Sequence, residues 1–227
     1  MPEHSDAAKV RRGLPLRAVA FDLDGTLADT LGLNIAAFQH AFARTTGRSF
    51  SAEEICDLCG ASQEGVVAQV AGDRRRECLT AFYRYFETHF DEQVTPYPGI
   101  DELLAFVARS GLETAVVTGA GRRCVELTLA RLGLVSAVGA IEIGSAQGPR
   151  KPQQLVGLAT RWRVDPSQVA YVGDFPSDMQ AARAAGAVPL GAAWDAAADA
   201  QRLRDAGAQA VFTSPHHLRS WLERSDS

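Results

Sequence analysis

The chain has 227 residues, 46% hydrophobic and 22% charged, with a formal net charge of -4. This is the composition of an ordinary globular protein, long enough for one domain with an insertion or for two small domains. The mild acidity argues against a nucleic-acid partner, which wants a basic patch, and no apolar run approaches the ~20 residues of a membrane span.

Residues 1–14 read as a polar, disordered tail. Arg11-Arg12 leads into Gly-Leu-Pro-Leu and not into the apolar core of a secretory signal, which points to a cytoplasmic protein. Ala18–Phe21 (AVAF) then reads as a short buried strand that Gly25-Thr26 breaks. Asp22 and Asp24 therefore stand where strand gives way to loop. Two carboxylates ~4 Å apart repel by roughly 4 kcal/mol at an effective dielectric near 20. Something positive has to offset that, and the rest of the chain must supply it or bind it.

Residues 31–95 carry helical periodicity with little strand character. Leu33, Ala37 and Phe38 share one face, as do Phe82, Tyr85 and Phe86, and Gly47, Gly60 and Gly72 divide the stretch into about four helices. Pro96-Tyr97-Pro98-Gly99 closes it with a rigid turn. The expectation is a helical cap inserted into a core made of residues 15–30 and 96–227. Within the cap, Cys56 and Cys59 form a lone C-x-x-C, read as packed helical thiols because no second pair or suitably spaced histidine accompanies it. Arg74-Arg75-Arg76 reads as a solvated helix face, and Gly60 to Glu64 as a loop between cap helices.

From Ile100 onward short apolar runs alternate with helices. The predicted order is helix 101–108, strand 114–117, helix 122–132, strand 141–143 and a helix after Pro152. Strand 169–172, helix 177–185, strand 188–191, a helix near 198–205, strand 210–212 and a last helix follow. Such alternation predicts an α/β fold with a doubly wound, Rossmann-like parallel sheet.

Open parallel sheets bind ligands beyond the carboxyl ends of their strands, and four polar features fall near such ends. They are Asp22 with Asp24, Thr118-Gly119, Lys151 between Pro149 and Pro152, and Gly173-Asp174 with Asp178. Each alone has a bland reading as a turn or a helix start. Lys151 is the hardest to dismiss, because the chain holds only two lysines, the other being Lys9, against twenty-one arginines. A compact ammonium aimed at an anion suits that position.

In this order the segments DLDGT, VVTG, RKP and VGDFPSD resemble the four motifs of the haloacid dehalogenase-like hydrolase superfamily. PYPGI and the tail GAQAVFTSPHHLRSWL are similar to its phosphoglycolate phosphatase and β-phosphoglucomutase branch, which carries a helical cap between the first two motifs. The resemblance implies a phosphatase acting on a small phosphorylated metabolite, with a phosphomutase or a non-catalytic phospholigand-binding protein as alternatives. Asp22 would be the nucleophile. Asp24 would protonate the leaving oxygen and later activate water. Mg²⁺ would be held by Asp22, the backbone carbonyl of Asp24 and Asp174, with Asp178 behind them. Thr118, Gly119 and Lys151 would bind the phosphoryl oxygens. The loop from Gly60 resembles the branch's specificity loop. Phe175, Arg150 and the pair Gly119-Ala120 depart from the usual pattern without removing a catalytic group. The oligomeric state stays open.

Overall fold

The computed structural model describes residues 16–58 and 60–225, so the tail expected at 1–14, Lys9 and Cys59 lie outside the described residues. Six parallel strands form one sheet: β1 (Ala18–Phe21), β2 (Glu113–Val117), β3 (Ala140–Glu142), β4 (Val169–Gly173), β5 (Val188–Ala192) and β6 (Ala210–Phe212). Their spatial order is β3-β2-β1-β4-β5-β6, with β1 in the centre. The chain thus leaves β1 to build one flank and returns to β4 to build the other, and this reversal beside β1 makes a crevice at the carboxyl ends.

Alternation along the strands explains why both faces are covered. Val19, Phe21, Val116, Ala170 and Val172 point into one buried cluster, whereas Ala18, Ala20, Ala115, Val117, Val169 and Tyr171 point into the other. The second face is rich in alanine. It lets α7 (Lys151–Trp162) and α8 (Pro176–Ala185) lie close, burying Leu155, Leu158, Ala159 and Ala182. The first face receives α5 (Ile100–Arg109), α6 (Arg122–Arg131) and α10 (Pro215–Ser225), and α9 (Ala200–Asp205) packs on β5 and β6.

Between β1 and α5 lie α1 (Leu31–Thr46), α2 (Ala52–Leu58), α3 (Gln63–Ala71) and α4 (Arg75–Gln93). Helices α1 and α4 pack through a run of aromatic rings. Phe38 meets Phe82 at 4.5 Å between centroids, and Phe82 continues to Phe86 at 5.9 Å and Phe86 to Phe90 at 5.7 Å. Ion pairs Arg123–Glu87 and Arg131–Asp91 join α4 to α6 at the surface. Cys56 is exposed on α2, not packed as expected, while Cys78 and Cys124 are buried. Among the described residues no helix is long and apolar enough to cross a membrane.

Candidate active site

Register places the acids. Phe21 pairs with Val116 on one side and Val172 on the other, so Asp22 comes level with the last residues of β2 and β4. Thr118 and Asp174 are the next residues along those two strands, and α7 brings Lys151 to the same end from its first turn. Pro152 sits in that turn, where its missing N–H costs nothing.

Lys151 Nζ donates to Asp22 Oδ2 at 2.9 Å and to Asp178 Oδ1 at 2.6 Å. Asp22 Oδ1 accepts the Leu23 amide at 2.8 Å, and Asp174 Oδ1 accepts the Thr26 hydroxyl at 3.0 Å. Asp178 is fully buried. Its oxygens also accept the Tyr171 hydroxyl at 3.3 Å and the Phe175 amide at 3.0 Å. The close fit requires Gly25: its φ is +79°, and a Cβ there would fall 2.2 Å from Asp174 Oδ2.

Three buried carboxylates facing one ammonium leave negative charge in excess. Burial pushes the Asp22 carboxyl up to about 7 against the pull of Lys151, with Asp178 and Asp24 adding to the rise. Burial, then Asp22 and Asp178, hold Asp174 well above the carboxylate range. Burial opposes the charge on Lys151, but Asp178 and Asp22 outweigh it and keep the ammonium above its ordinary range. Carboxylate oxygens of Asp22, Asp174 and Asp178 all come within 4.8 Å of one another. A cluster of hard oxygen donors with surplus negative charge fits a hard divalent cation. Asp178 accepts three of the hydrogen bonds above, against two on Asp22 and one on Asp174, so Asp22 and Asp174 are the better placed side-chain ligands.

Thr118 is buried, and its hydroxyl accepts the Ala120 amide at 3.1 Å, shaping the loop that presents Gly119. Gly144, after β3, supports that loop from below. A Cβ there would lie 1.8 Å from the Gly119 oxygen, and the Gly144 amide donates to Ala120 O at 2.7 Å. Phe175 is 46% exposed at the rim of the crevice.

Asp24 takes its hydrogen bonds from the start of α1. Its Oδ1 accepts the Thr30 hydroxyl and the Asn34 Nδ2 amide, the latter at 3.2 Å. Burial raises its pKa, and these two bonds and Lys151 pull against the rise. Asn34 in turn accepts from Gln63 Nε2 at 3.2 Å, and Gln63 Oε1 accepts the Gly121 amide at 2.6 Å. Glu64 stands beside it, accepting the Ser62 and Tyr83 hydroxyls. Burial works against its charge, but those bonds win and hold the carboxyl below its ordinary range. Gly60 has φ +136° and Ser62 precedes α3 as its N-cap, while Gln63 and Glu64 reach the loop after β2. The sequence does not single out Thr26, Thr30, Asn34 or Tyr171, and it offers Gln63 only as part of the loop from Gly60. Asn34 carried one faint signal, a polar residue four positions after Thr30 at a helix start flanked by apolar neighbours.

A family model described as haloacid dehalogenase-like hydrolase matches residues 19–192. A phosphoglycolate phosphatase from Agrobacterium fabrum is 29% identical over 188 residues, covering 78% of this chain and 81% of the relative. The pyrophosphatase PpaX from Bacillus velezensis is 28% identical over 179 residues, covering 78% and 83%. In fold, the chain is similar to the crystal structure of CbbY from Rhodobacter sphaeroides in complex with phosphate. That comparison has a TM-score of 0.76 at 22% identity and covers 92% of this chain and 99% of the other.

Proposed function

The chain belongs to the haloacid dehalogenase-like hydrolase family, and from that premise we propose a Mg²⁺-dependent phosphatase that hydrolyses a small phosphorylated metabolite. It is a phosphoric monoester hydrolase, the class to which its named relatives point. The observation that carries the reading is the meeting of Asp22, Thr118, Lys151 and Asp174 at the carboxyl ends of three adjacent strands. Asp22 attacks phosphorus and forms an aspartyl-phosphate as the ester oxygen departs. Asp24 gives that oxygen a proton and then takes one from the water that releases phosphate. The Thr118 hydroxyl, the Gly119 amide and the Lys151 ammonium bind the phosphoryl oxygens where charge builds up. Asp22, Asp174 and the Asp24 carbonyl would hold Mg²⁺, which when bound neutralises the carboxylates and the phosphate they receive. Asp178 fixes Lys151.

Residues 31–95 act as a cap that selects the leaving group, since the sheet end recognises only phosphate. Glu64, kept ionised beside Gly121, disfavours a second anionic group on the substrate and favours a hydroxylated, uncharged one. The free Cys56, Cys78 and Cys124 suit a cytoplasmic setting. The test is release of inorganic phosphate from p-nitrophenyl phosphate and a panel of sugar phosphates and phosphoglycolate, with MgCl2 or EDTA. Activity that needs Mg²⁺ and disappears in Asp22→Asn supports the reading. Activity indifferent to both, or none on any substrate, refutes it.

A further inference from the structure

We propose that Gln63 is a positioning residue that ties the docking of the cap to the orientation of the Asp24 carboxyl; this rests on the role assigned to Asp24 above. Gln63 is 6% exposed although its side chain is an amide. Its hydrogen-bond direction is not free. The Gly121 amide can only donate, so the oxygen of Gln63 must face it and its nitrogen must face Asn34. Asn34 then has to offer its oxygen to Gln63, which turns its own nitrogen to Asp24 and to the Thr30 carbonyl at 3.1 Å. One backbone N–H thus sets the polarity of every link in the chain from Gly121 through Gln63 and Asn34 to the acid.

The end of the chain is equally specific. Both donors, Thr30 and Asn34, meet the same carboxyl oxygen, Asp24 Oδ1. Oδ2 takes part in neither bond. Helix α3 approaches Gly121 so closely that a Cβ there would lie 2.5 Å from Glu64 Oε2 and 3.1 Å from Gln63 Oε1. When α3 lies on Gly121, in the loop after Thr118, the acid is locked. Withdrawing α3 breaks the chain at its first link.

The experiment separates proton donation from the rest of the reaction. An alkyl phosphomonoester needs its leaving alkoxide protonated, whereas p-nitrophenolate departs without a proton. Gln63→Leu, which keeps size and loses both bonds, should lower kcat/KM for the alkyl ester by about tenfold to a hundredfold and for p-nitrophenyl phosphate by only about threefold. Gln63→Glu still accepts from Gly121 but has no hydrogen for Asn34, so it should show the same selective loss. Asn34→Leu combined with Gln63→Leu should be no worse than Asn34→Leu alone. Melting curves verify that each variant folds. Equal losses on the two esters, wild-type selectivity in Gln63→Glu, or additive losses in the double variant overturn the proposal. A wild type inactive on both esters with Mg²⁺ overturns the phosphatase reading and this inference with it.

Discussion

In the metal-free protein, the buried acids should make stability fall as pH rises. Asp22 has a folded-state pKa near 7 against an ordinary 3.8. Between those values the native state holds a proton that the unfolded chain has lost, so the slope of unfolding free energy with pH is negative. The full shift corresponds to ~4 kcal/mol, lost progressively from about pH 4 to about pH 7. Asp174 is raised too and titrates with Asp22, which spreads the loss without changing its sign. Lys151 adds a constant term here, because its contribution fades only above its ordinary 10.5. Mg²⁺ binds the ionised carboxylates, so its stabilisation should grow over the same window, to ~2.7 kcal/mol at about a hundred times Kd. The assay is thermal melting in EDTA and in MgCl2 across this range, for wild type and Asp22→Asn. The difference between the two proteins cancels the carboxylates that do not interact with Asp22, and Asp174 adds to it with the same sign. At ~2–4 °C per kcal/mol, the wild type should lose roughly 8–16 °C relative to Asp22→Asn from the acid to the neutral end. A flat or opposite difference, or a Mg²⁺ shift independent of pH, refutes the reasoning.

Gly25→Ala forces a left-handed backbone on a residue with a side chain and drives Asp174 away. It should cost about 1–2 kcal/mol and weaken Mg²⁺ binding, read by urea midpoints and calorimetry. Lys151→Met strips Asp22 and Asp178 of their buried counterion. The metal-free protein should lose about 3–5 kcal/mol, with Mg²⁺ restoring part of it while kcat/KM stays depressed. Glu64→Gln removes the anion beside Gly121, so kcat/KM for phosphoglycolate should rise relative to a sugar phosphate with an uncharged tail. An unchanged ratio would mean that Glu64 does not face the leaving group.

The sheet was legible because its strands are short apolar runs ended by turn residues: β1 and β6 span the residues expected of them. Strands β2, β4 and β5 are each one residue longer than expected, and β3 is shifted by one residue for a reason. The expected run Ile141–Ile143 has Glu142 at its centre, and β3 is Ala140–Glu142, since pairing with Ala115–Val117 sets the register and Ile141 on this edge strand faces outward at 42% exposure. Helix α7 begins one residue before Pro152, at Lys151 itself, so the lysine is held by a helix end and not by a loose turn. Motif order brought Asp22, Thr118, Lys151 and Asp174 to notice because each follows a strand or opens a helix. Gln63 also opens a helix, within the loop from Gly60, but nothing in the sequence marks its partner. Its partner Gly121 lies 58 residues away, and only the packing of α3 on the loop after β2 makes the amide meaningful.

The two aspartates of DLDGT illustrate the limit of spacing as a guide to role. They are two residues apart, the same in type, and both raised by burial. What differs is what donates to them. Asp22 receives an ammonium from 129 residues away, and a charged donor favours the anion, the form that attacks. Asp24 receives a hydroxyl and an amide from the first helix turn after it, both on one oxygen. Neutral donors on one side leave the other oxygen able to bear or surrender a proton, which a transferable proton requires. Exchanging the environments would exchange the roles. On the proposed mechanism, the division of labour therefore resides in Lys151, Thr30 and Asn34, not in the motif that carries the acids.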